Sequence, residues 1–186
     1  MPILIVVCGI IATGKSTVAK KISGATGIEM IRSDRVRKEL AGMSPEEHEY
    51  VPYGQGIYSP EFSRKTYEEM MNRAKDKLSK GSSVILDATF SKKWQRGLAR
   101  KTAIDTGARF LCIETVASDE VIRERAEHRT ESGESISDGR LELLPQIREN
   151  FEEIVELDEE EYIVIDTSKE GEEKMDKILE IVQQYL

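Results

Sequence analysis

An apolar run over residues 3–8 leads directly into GIIATGKS at residues 9–16, and a stretch of helical character follows. These eight residues match the pattern G-x-x-x-x-G-K-[ST], in which backbone N–H groups and a helix N-terminus face phosphate oxygens. A glycine-rich turn between a strand and a helix would give a similar outline without chemistry. However, a chance match in a chain of 186 residues is expected in well under about 1 in 50 cases. The motif therefore predicts a nucleotide-binding loop between a strand and a helix.

The positions of this loop have expected roles toward a bound nucleotide. Lys15 is expected to reach the β- and γ-phosphates, and the Ser16 hydroxyl is expected to bind Mg²⁺. Backbone N–H groups and the helix dipole supply the remaining attraction for phosphate. The loop residues expected to contact the cofactor are Gly9, Ala12, Thr13, Gly14, Lys15, Ser16 and Thr17.

Short apolar runs alternate with helical stretches along the chain. Four of the five runs are nearly continuous, which is typical of parallel strands covered on both faces. The alternation predicts right-handed crossovers and a single three-layer α/β domain over residues 1–186. Strands are predicted at residues 3–8, 27–32, 83–87, 109–114 and 162–165, and helices at 15–23, 60–80, 92–106, 141–157 and 173–186.

Two segments fit neither pattern. Residues 42–59 are rich in Gly, Pro and Tyr and are long for a plain connection, which indicates an ordered functional loop. Tyr53 and Gln55 in this loop are expected to contribute to acceptor binding. Residues 118–140 are highly charged and are interpreted as a surface helix and loop.

Bulk composition narrows the function classes. The formal net charge is −8 and the pI is near 5.0, which argues against tight, unspecific binding to nucleic acid. No apolar stretch approaches the roughly 18 residues of a membrane span, so no membrane partner is expected and the cytoplasm is the expected compartment. Cys8 and Cys112 lie inside apolar runs without metal-ligand spacing and are interpreted as buried, reduced thiols.

Two acidic residues follow or end predicted strands, where ligands bind at the carboxyl edge of a parallel sheet. Asp34 follows the second strand and is expected near the γ-phosphate, where a carboxylate can accept the proton of an acceptor hydroxyl. The alternative is that it caps the next helix. Asp87 ends the third strand and is expected to orient Mg²⁺ through water or to accept from Ser16; local backbone hydrogen bonding is the alternative. Arg35 and Arg37 would hold an anionic acceptor.

Arg125 and Arg129 share one face of a helix in the charged segment. Two guanidiniums placed in this way would close over the transferring phosphate and neutralise its charge. The alternative is a solvated face paired with neighbouring glutamates.

Trp94 lies within a basic stretch at residues 92–101. A stacking platform for nucleic acid is one interpretation of this arrangement, and an anchor for the underlying helix is the favoured one. The acidic run at residues 152–161 is interpreted as the solvated face of a helix.

The segments GIIATGKST, IRSDRVRKEL, YGQGIYSPE and SVILDATF together resemble a group of predicted P-loop kinases (AAA_33-like or zeta-toxin-like). More distantly, the pattern is similar to the 5′-kinase domain of phage polynucleotide kinase and to chloramphenicol phosphotransferase. The resemblance implies an adenylate-kinase-like fold with strand order 2-3-1-4-5, a helical lid near residues 118–140, and ATP with Mg²⁺. Asp34 would be the general base and Arg37 an acceptor contact.

The same resemblance implies that Arg125 and Arg129 are lid arginines and that adenine lies near residues 166–169. Ala12 stands where many relatives carry glycine, which implies a slightly tighter loop.

Three functions are compatible with these features. The leading hypothesis is an ATP-dependent kinase acting on the hydroxyl of a small-molecule acceptor, with Lys15, Asp34, Arg125 and Arg129 as the catalytic residues. A 5′-hydroxyl polynucleotide kinase using residues 92–101 is the less favoured enzyme. A nucleotide-binding switch or assembly ATPase, with closure of residues 118–140 as its output, is the alternative from another class. The acceptor and the oligomeric state stay open at this point.

Overall fold

The computed structural model describes residues 1–44, 54–132, 141–168 and 172–186, without the side chains of residues 129–132, 141 and 172. Its strands are β1 Ile3–Cys8, β2 Glu29–Arg32, β3 Val84–Asp87, β4 Arg109–Val116 and β5 Tyr162–Asp166. Its helices are α1 Lys15–Thr26, α2 Ser33–Leu40, α3 Pro60–Ser79, α4 Lys93–Asp105, α5 Asp119–Ser132, α6 Leu144–Glu149 and α7 Glu172–Gln183, with 3-10 turns at Gly56–Tyr58 and Leu141–Leu143.

The strands form one parallel five-stranded sheet in the order β2-β3-β1-β4-β5, which confirms the predicted fold class and strand order. Val7 and Arg32 are both in register with Asp87 at the end of β3. The carboxyl ends of β1, β2 and β3 therefore meet at one edge of the sheet, and this edge is where the phosphate loop and Asp34 begin.

Helices cover both faces of the sheet. All six residues of β1 are buried, and alternate residues contribute to opposite layers because successive side chains of a strand point to opposite faces. Leu4 and Val6 pack in the cluster that includes buried residues of α3 and α4. Ile5 and Val7 pack in the cluster that includes residues of α1 and α7. This is the three-layer arrangement predicted from the continuous apolar runs.

A smaller cluster connects α5 to the phosphate loop. Ala12 of the loop is buried with Ile122 and Ala126 of α5 and with Leu144 of α6. The helix that carries the predicted lid arginines is therefore packed on the loop through apolar contacts.

The helix predicted over residues 141–157 is wrong beyond Glu149. A 3-10 turn and the short α6 replace its first half, and Phe151 and Ile154 pack against the α3/α4 side of the core from an irregular segment. The acidic run at 152–161 is therefore not a helix face. Its side chains contact α4 instead: Glu156 pairs with the Arg96 guanidinium at 2.6 Å, and Glu152 accepts from the Lys93 backbone N–H at 2.7 Å, where a helix N-terminus favours a carboxylate.

The other predicted boundaries need only small shifts. Helix α1 runs through Gly24 to Thr26 and ends at Gly27, whose φ of 74° suits a left-handed cap. Cys8 and Cys112 are both buried and unbridged, as predicted. Within the part of the chain that the structure describes, no helix is long and apolar enough to span a bilayer.

Candidate nucleotide-binding and transfer site

The phosphate loop takes backbone conformations that require glycine at two positions. Gly9 has a φ of 136°, and a Cβ placed there would lie 2.5 Å from the carbonyl oxygen of Thr115. Gly14 has a φ of 88° and forms the N-cap of α1. Both terminal glycines of the motif are thus required by their positive φ angles, and Gly9 also by its close approach to β4.

Ala12 is a third loop residue with positive φ, at 58°. Alanine is disfavoured there because its Cβ approaches the following carbonyl oxygen. Its methyl group is nevertheless almost fully buried against α5. Alanine at position 12 is therefore less free in its backbone than glycine would be, but its methyl group adds a contact between the loop and α5.

Hydrogen bonds hold the rest of the loop. The Thr13 hydroxyl lies 2.7 Å from that of Thr115, and Thr115 bonds the carbonyl oxygen of Cys8. The Lys15 ammonium donates to the carbonyl oxygen of Ile10 at 2.6 Å, so the lysine side chain lies over its own loop. The loop is thus shaped by contacts within itself and with β4.

Ser16 and Asp87 meet at the predicted metal position. The Ser16 hydroxyl donates to Asp87 Oδ2 at 2.7 Å, and the Asp87 side chain is 4% exposed. Mg²⁺ in phosphate sites is held by one or two oxygen ligands of the protein together with phosphates and waters. These two groups fit that donor set. Among the described residues, no cluster of three His, Cys, Asp or Glu side chains suggests another metal site.

Asp34 lies in the first turn of α2, two residues after the helix N-cap, which is Arg32. It is therefore not the capping residue that the alternative interpretation required. Burial raises the pKa of the Asp34 carboxyl above its ordinary value, and the neighbouring charge of Asp87 raises it further, whereas Arg37, Arg32 and Lys15 lower it. The carboxyl group is thus within the electrostatic influence of the phosphate-loop lysine, of Asp87 and of two guanidiniums.

Arg37 is 7% exposed and packs against the 3-10 turn Gly56–Tyr58. Its Nη1 donates to the Ile57 carbonyl oxygen and to the Ser63 hydroxyl, and its guanidinium lies 4.9 Å from the centre of the Tyr58 ring. Its Nε is a buried donor without a hydrogen-bond partner among the residues that the structure describes. Arg37 thus joins the Gly56–Tyr58 turn to α2, with one donor that no described residue accepts from.

The remaining acceptor-side predictions differ in outcome. Gln55 is exposed at the start of the same turn. Tyr53 lies outside the described residues. Arg35 lies on the outer face of α2, where it pairs with Glu39 at 3.0 Å and is well exposed, so it does not line the site beside Asp34.

Arg125 contacts the loop from the side of the turn after β5. Its Nη1 donates to the Thr167 hydroxyl and its Nη2 to the Thr167 carbonyl oxygen, both at 2.8 Å, and Nη1 lies 3.4 Å from the Ala12 carbonyl oxygen. The guanidinium is therefore located between α5, the phosphate loop and the turn after β5. The side chain of Arg129 is outside the described part of the structure.

Arg32 belongs to the site although the motifs did not identify it. It is the last residue of β2, and its Nε lies 3.3 Å from Asp87 Oδ2. The signal was its place at the end of a predicted strand, since ends of parallel strands share one edge.

Phe90 in the turn after β3 and Tyr67 of α3 are two further residues of the site that sequence reasoning missed. Phe90 is fully buried at a φ of 47°, a conformation that is rare for a bulky residue. Its backbone N–H donates to the Tyr67 hydroxyl at 3.0 Å, and burial raises the pKa of Tyr67 to about 12. The turn also places the Thr89 carbonyl oxygen 3.2 Å from the Gly9 nitrogen. Tyr67 and Phe90 thus hold the β3 turn against the phosphate loop.

The AAA_33 family model, described as an AAA domain, matches residues 4–154. The chain belongs to the AAA_33 family. This confirms the resemblance drawn from the four sequence segments, and the matched range includes the phosphate loop, Asp34, Asp87 and Arg125.

The chain is also similar to a curated protein sequence and to several solved structures. An uncharacterized protein of Mycobacterium tuberculosis is 32% identical over 113 residues, which are 61% of this chain and 23% of that protein. The chain thus matches about a quarter of the length of this curated relative. A gluconokinase from Sinorhizobium meliloti superposes with a TM-score of 0.66 at 21% identity, over 98% of this chain and 93% of its own. The Mycobacterium tuberculosis APS kinase CysC, in complex with AMPPNP and APS, gives 0.67 at 16% identity, over 98% of both chains. These structural likenesses show the fold.

The basic stretch at 92–101 of this AAA_33 chain is largely neutralised. Lys92, Arg96, Arg100 and Lys101 pair with Glu152, Glu156, Glu161 and Asp105 respectively. Arg96 is fully buried. The stretch is therefore not a row of free cations available to a phosphate backbone.

Trp94 is half-exposed at the start of α4. Its ring meets Tyr67 edge-on at 5.7 Å, and the Arg64 guanidinium lies 4.8 Å above it. These contacts join α4 to α3, as the anchor interpretation expects.

Proposed function

We propose that this protein is an ATP-dependent kinase that transfers the γ-phosphoryl group to a hydroxyl of a small-molecule acceptor. The observation that carries the proposal is the position of Asp34. Asp34 lies in the first turn of α2, directly after β2, whose last residue Arg32 is in register with Asp87. Its carboxyl group is subject to the charges of Arg37, Arg32, Asp87 and Lys15. A nucleotide-binding loop needs no such carboxylate for binding alone, whereas transfer to a hydroxyl needs a proton acceptor at this place.

The nucleotide would be held mainly by the loop. The backbone N–H groups of residues 9–17 and the N-terminus of α1 attract phosphate oxygens, and Lys15 exchanges the Ile10 carbonyl oxygen for a phosphate. Ser16 and Asp87 would hold Mg²⁺, which neutralises charge on the phosphates when it is bound. Arg125, which already contacts Thr167 and Ala12, would hold the nucleotide from α5.

Asp34 would act as the general base. It accepts the proton of the acceptor hydroxyl, whose oxygen forms a bond to the γ-phosphorus while the bond between that phosphorus and the β,γ-bridging oxygen breaks. ADP leaves with the bridging electrons. Burial raises the pKa of Asp34, and a base is more effective as its pKa approaches the operating pH. Lys15, Arg125 and Arg129 would neutralise charge on the transferring group.

The acceptor would bind on the side of α2. The Arg37 Nε donor, which no described residue accepts from, the Tyr58 ring and the turn that begins at Gln55 surround this place, with Tyr53 as a further expected contact. A small acceptor is supported by the pairing of the basic stretch at 92–101, since a 5′-hydroxyl polynucleotide would need free cations there. Structural neighbours named for small molecules, a gluconokinase and an APS kinase, are consistent with it.

A nucleotide-dependent switch is favoured by one observation. Helix α5 contacts the phosphate loop through Ala12 and through Arg125. A change in the loop on nucleotide binding would be transmitted to α5. This function expects nucleotide-dependent partner binding and no phosphorylated product.

Transfer of label from γ-labelled ATP tests the proposal. Two pools are compared: a panel of small hydroxyl compounds, which includes sugars, sugar acids and antibiotics, and a 5′-hydroxyl oligonucleotide at low and moderate salt. Label is expected in the small-molecule pool and is expected to disappear in Lys15→Ala and Asp34→Asn. Asp105→Asn, an equivalent change at a surface residue of α4, serves as the matched control. Label on the oligonucleotide alone would contradict the small-molecule assignment, and nucleotide binding without labelled product in either pool would favour the switch.

A further inference from the structure

Arg32 closes a triangle with the two groups that would hold the metal. Its Nε lies 3.3 Å from Asp87 Oδ2, and its Nη2 lies 3.5 Å from the Ser16 hydroxyl oxygen. The third side is the hydrogen bond of 2.7 Å from Ser16 to Asp87. One guanidinium therefore bridges both oxygen groups of the proposed metal site.

The charges around this triangle explain why a cation is needed there. The Asp87 side chain is 4% exposed, and a buried carboxylate without a counter-charge is strongly unfavourable. The nearby Asp34 adds a second carboxyl group to the same region, and the negative charge of Asp87 raises the pKa of Asp34. Arg32 lowers that pKa, and it compensates both acidic groups at once.

A divalent cation would compete with Arg32 for the same oxygens. Mg²⁺ binds its ligands at about 2.0–2.1 Å with near-octahedral geometry. A metal ion bound directly to both groups would therefore displace the guanidinium from them.

We infer that Arg32 is a positioning residue that holds the Ser16 hydroxyl and the Asp87 carboxylate together and competes with Mg²⁺ for their oxygens. The inference rests on the proposed function only in requiring that the phosphate loop binds a magnesium nucleotide. It assigns to Arg32 a role that neither the phosphate-loop motif nor the acceptor side requires.

The test is nucleotide binding with and without metal, measured by calorimetry with AMPPNP in Mg²⁺ or in EDTA. For Arg32→Met and Arg32→Gln, the affinity in EDTA is expected to fall at least tenfold, because Asp87 then opposes the phosphates without compensation. In Mg²⁺ the affinity is expected to change less than threefold, because the metal supplies the missing charge. The matched control is Arg35→Met, a neighbouring arginine on the outer face of α2, which should change neither value.

A merely structural role would weaken binding equally under both conditions, and an equal loss or no loss in either would overturn the inference. Binding of Mn²⁺ alone, followed by electron paramagnetic resonance, gives an independent measurement that requires no nucleotide. Arg32→Gln is expected to bind Mn²⁺ about tenfold more tightly than the unmodified protein, and unchanged affinity would also overturn the inference. If the unmodified protein binds Mn²⁺ but no AMPPNP in either buffer, the proposed function fails while the Mn²⁺ comparison still decides the role of Arg32.

Discussion

On the nucleotide side of the site, positions are set by the backbone: Gly9 and Gly14 adopt positive φ values, and Thr13 is bonded to β4. On the proposed acceptor side, buried charge dominates: the Asp34 carboxyl is buried, and the charges of Arg37 and Arg32 act on it. The first arrangement can recognise any nucleoside triphosphate because phosphate is its ligand. The second depends on individual side chains and therefore can differ between proteins that share the loop. Substitutions on the nucleotide side should accordingly weaken nucleotide binding or the stability of the loop, whereas substitutions on the acceptor side should impair transfer.

The largest expected effect separates transfer from binding. Asp34→Asn removes the proton acceptor but keeps the shape of the side chain, so we expect transfer to fall about 10³-fold with nucleotide affinity unchanged. Lys15→Ala should instead weaken both. Single-turnover transfer combined with calorimetric titration of AMPPNP makes the comparison. Full transfer by Asp34→Asn would remove the general-base role.

Gly9→Ala should show the second largest effect, on the free energy of unfolding. The added Cβ would lie 2.5 Å from the Thr115 carbonyl oxygen at a φ of 136°, so a loss of about 2–4 kcal/mol is expected from strain and overpacking. Gly27→Ala, also at positive φ but with open space around its Cβ, should cost only about 1–2 kcal/mol. Urea denaturation measures both. Equal losses at the two glycines would mean that the approach of β4 does not restrict the loop.

The two sides also differ in how well the sequence predicted them. The phosphate loop and the Ser16–Asp87 contact follow from a local motif and from strands that end at one edge, so the residue types and their spacing were sufficient. Arg32 was missed because its partner, Asp87, is 55 positions away and meets it only through strand register. Arg37 was predicted as an acceptor contact, but its links to the Gly56–Tyr58 turn depend on a tertiary contact that no spacing reveals.

The predicted fold failed in one place for a related reason. Residues 150–157 have helical spacing of apolar residues, but Glu152 and Glu156 bind α4 instead of solvent. Arg96, the partner of Glu156, is fully buried, and a buried charge requires a partner. Because Arg96 belongs to α4, the spacing of residues 150–157 alone could not show that Glu156 pairs with it.

Arg125→Met tests how much a side chain outside the phosphate loop contributes to nucleotide binding. Two hydrogen bonds of 2.8 Å to Thr167 hold the guanidinium beside the phosphate loop, and loss of the proposed charge-assisted contact from there to the nucleotide is expected to weaken nucleotide binding about tenfold. Arg123→Met, at an exposed position of the same helix, is the control. Calorimetry with AMPPNP checks both. A similar loss in the two variants would indicate a general effect of charge on α5.

The pH dependence of transfer tests the acceptor side. Asp34 must be deprotonated to act as a base, so transfer should be lost as pH falls through its pKa, which burial places above the ordinary value. Arg37 lowers that pKa, and Arg37→Met should therefore move the acid limb of kcat/KM to higher pH. Arg37→Lys should keep the limb near its original position, which separates charge from packing. An acid limb that does not respond to the charge at residue 37 would show that another group controls it.

The smallest effect is expected at Ala12, where backbone strain and the burial of a methyl group oppose each other. Ala12→Gly relieves a left-handed conformation worth about 1–2 kcal/mol, but it removes a buried methyl worth about 0.8 kcal/mol and adds about 0.5–1 kcal/mol of chain entropy to the unfolded state. These terms nearly cancel, so stability should change by less than about 1 kcal/mol. The contact with α5 is lost all the same, and amide exchange in α5 should become faster while exchange in α1 stays constant. A large loss of stability, with α5 unchanged, would show that Ala12 serves the loop itself and does not couple it to α5.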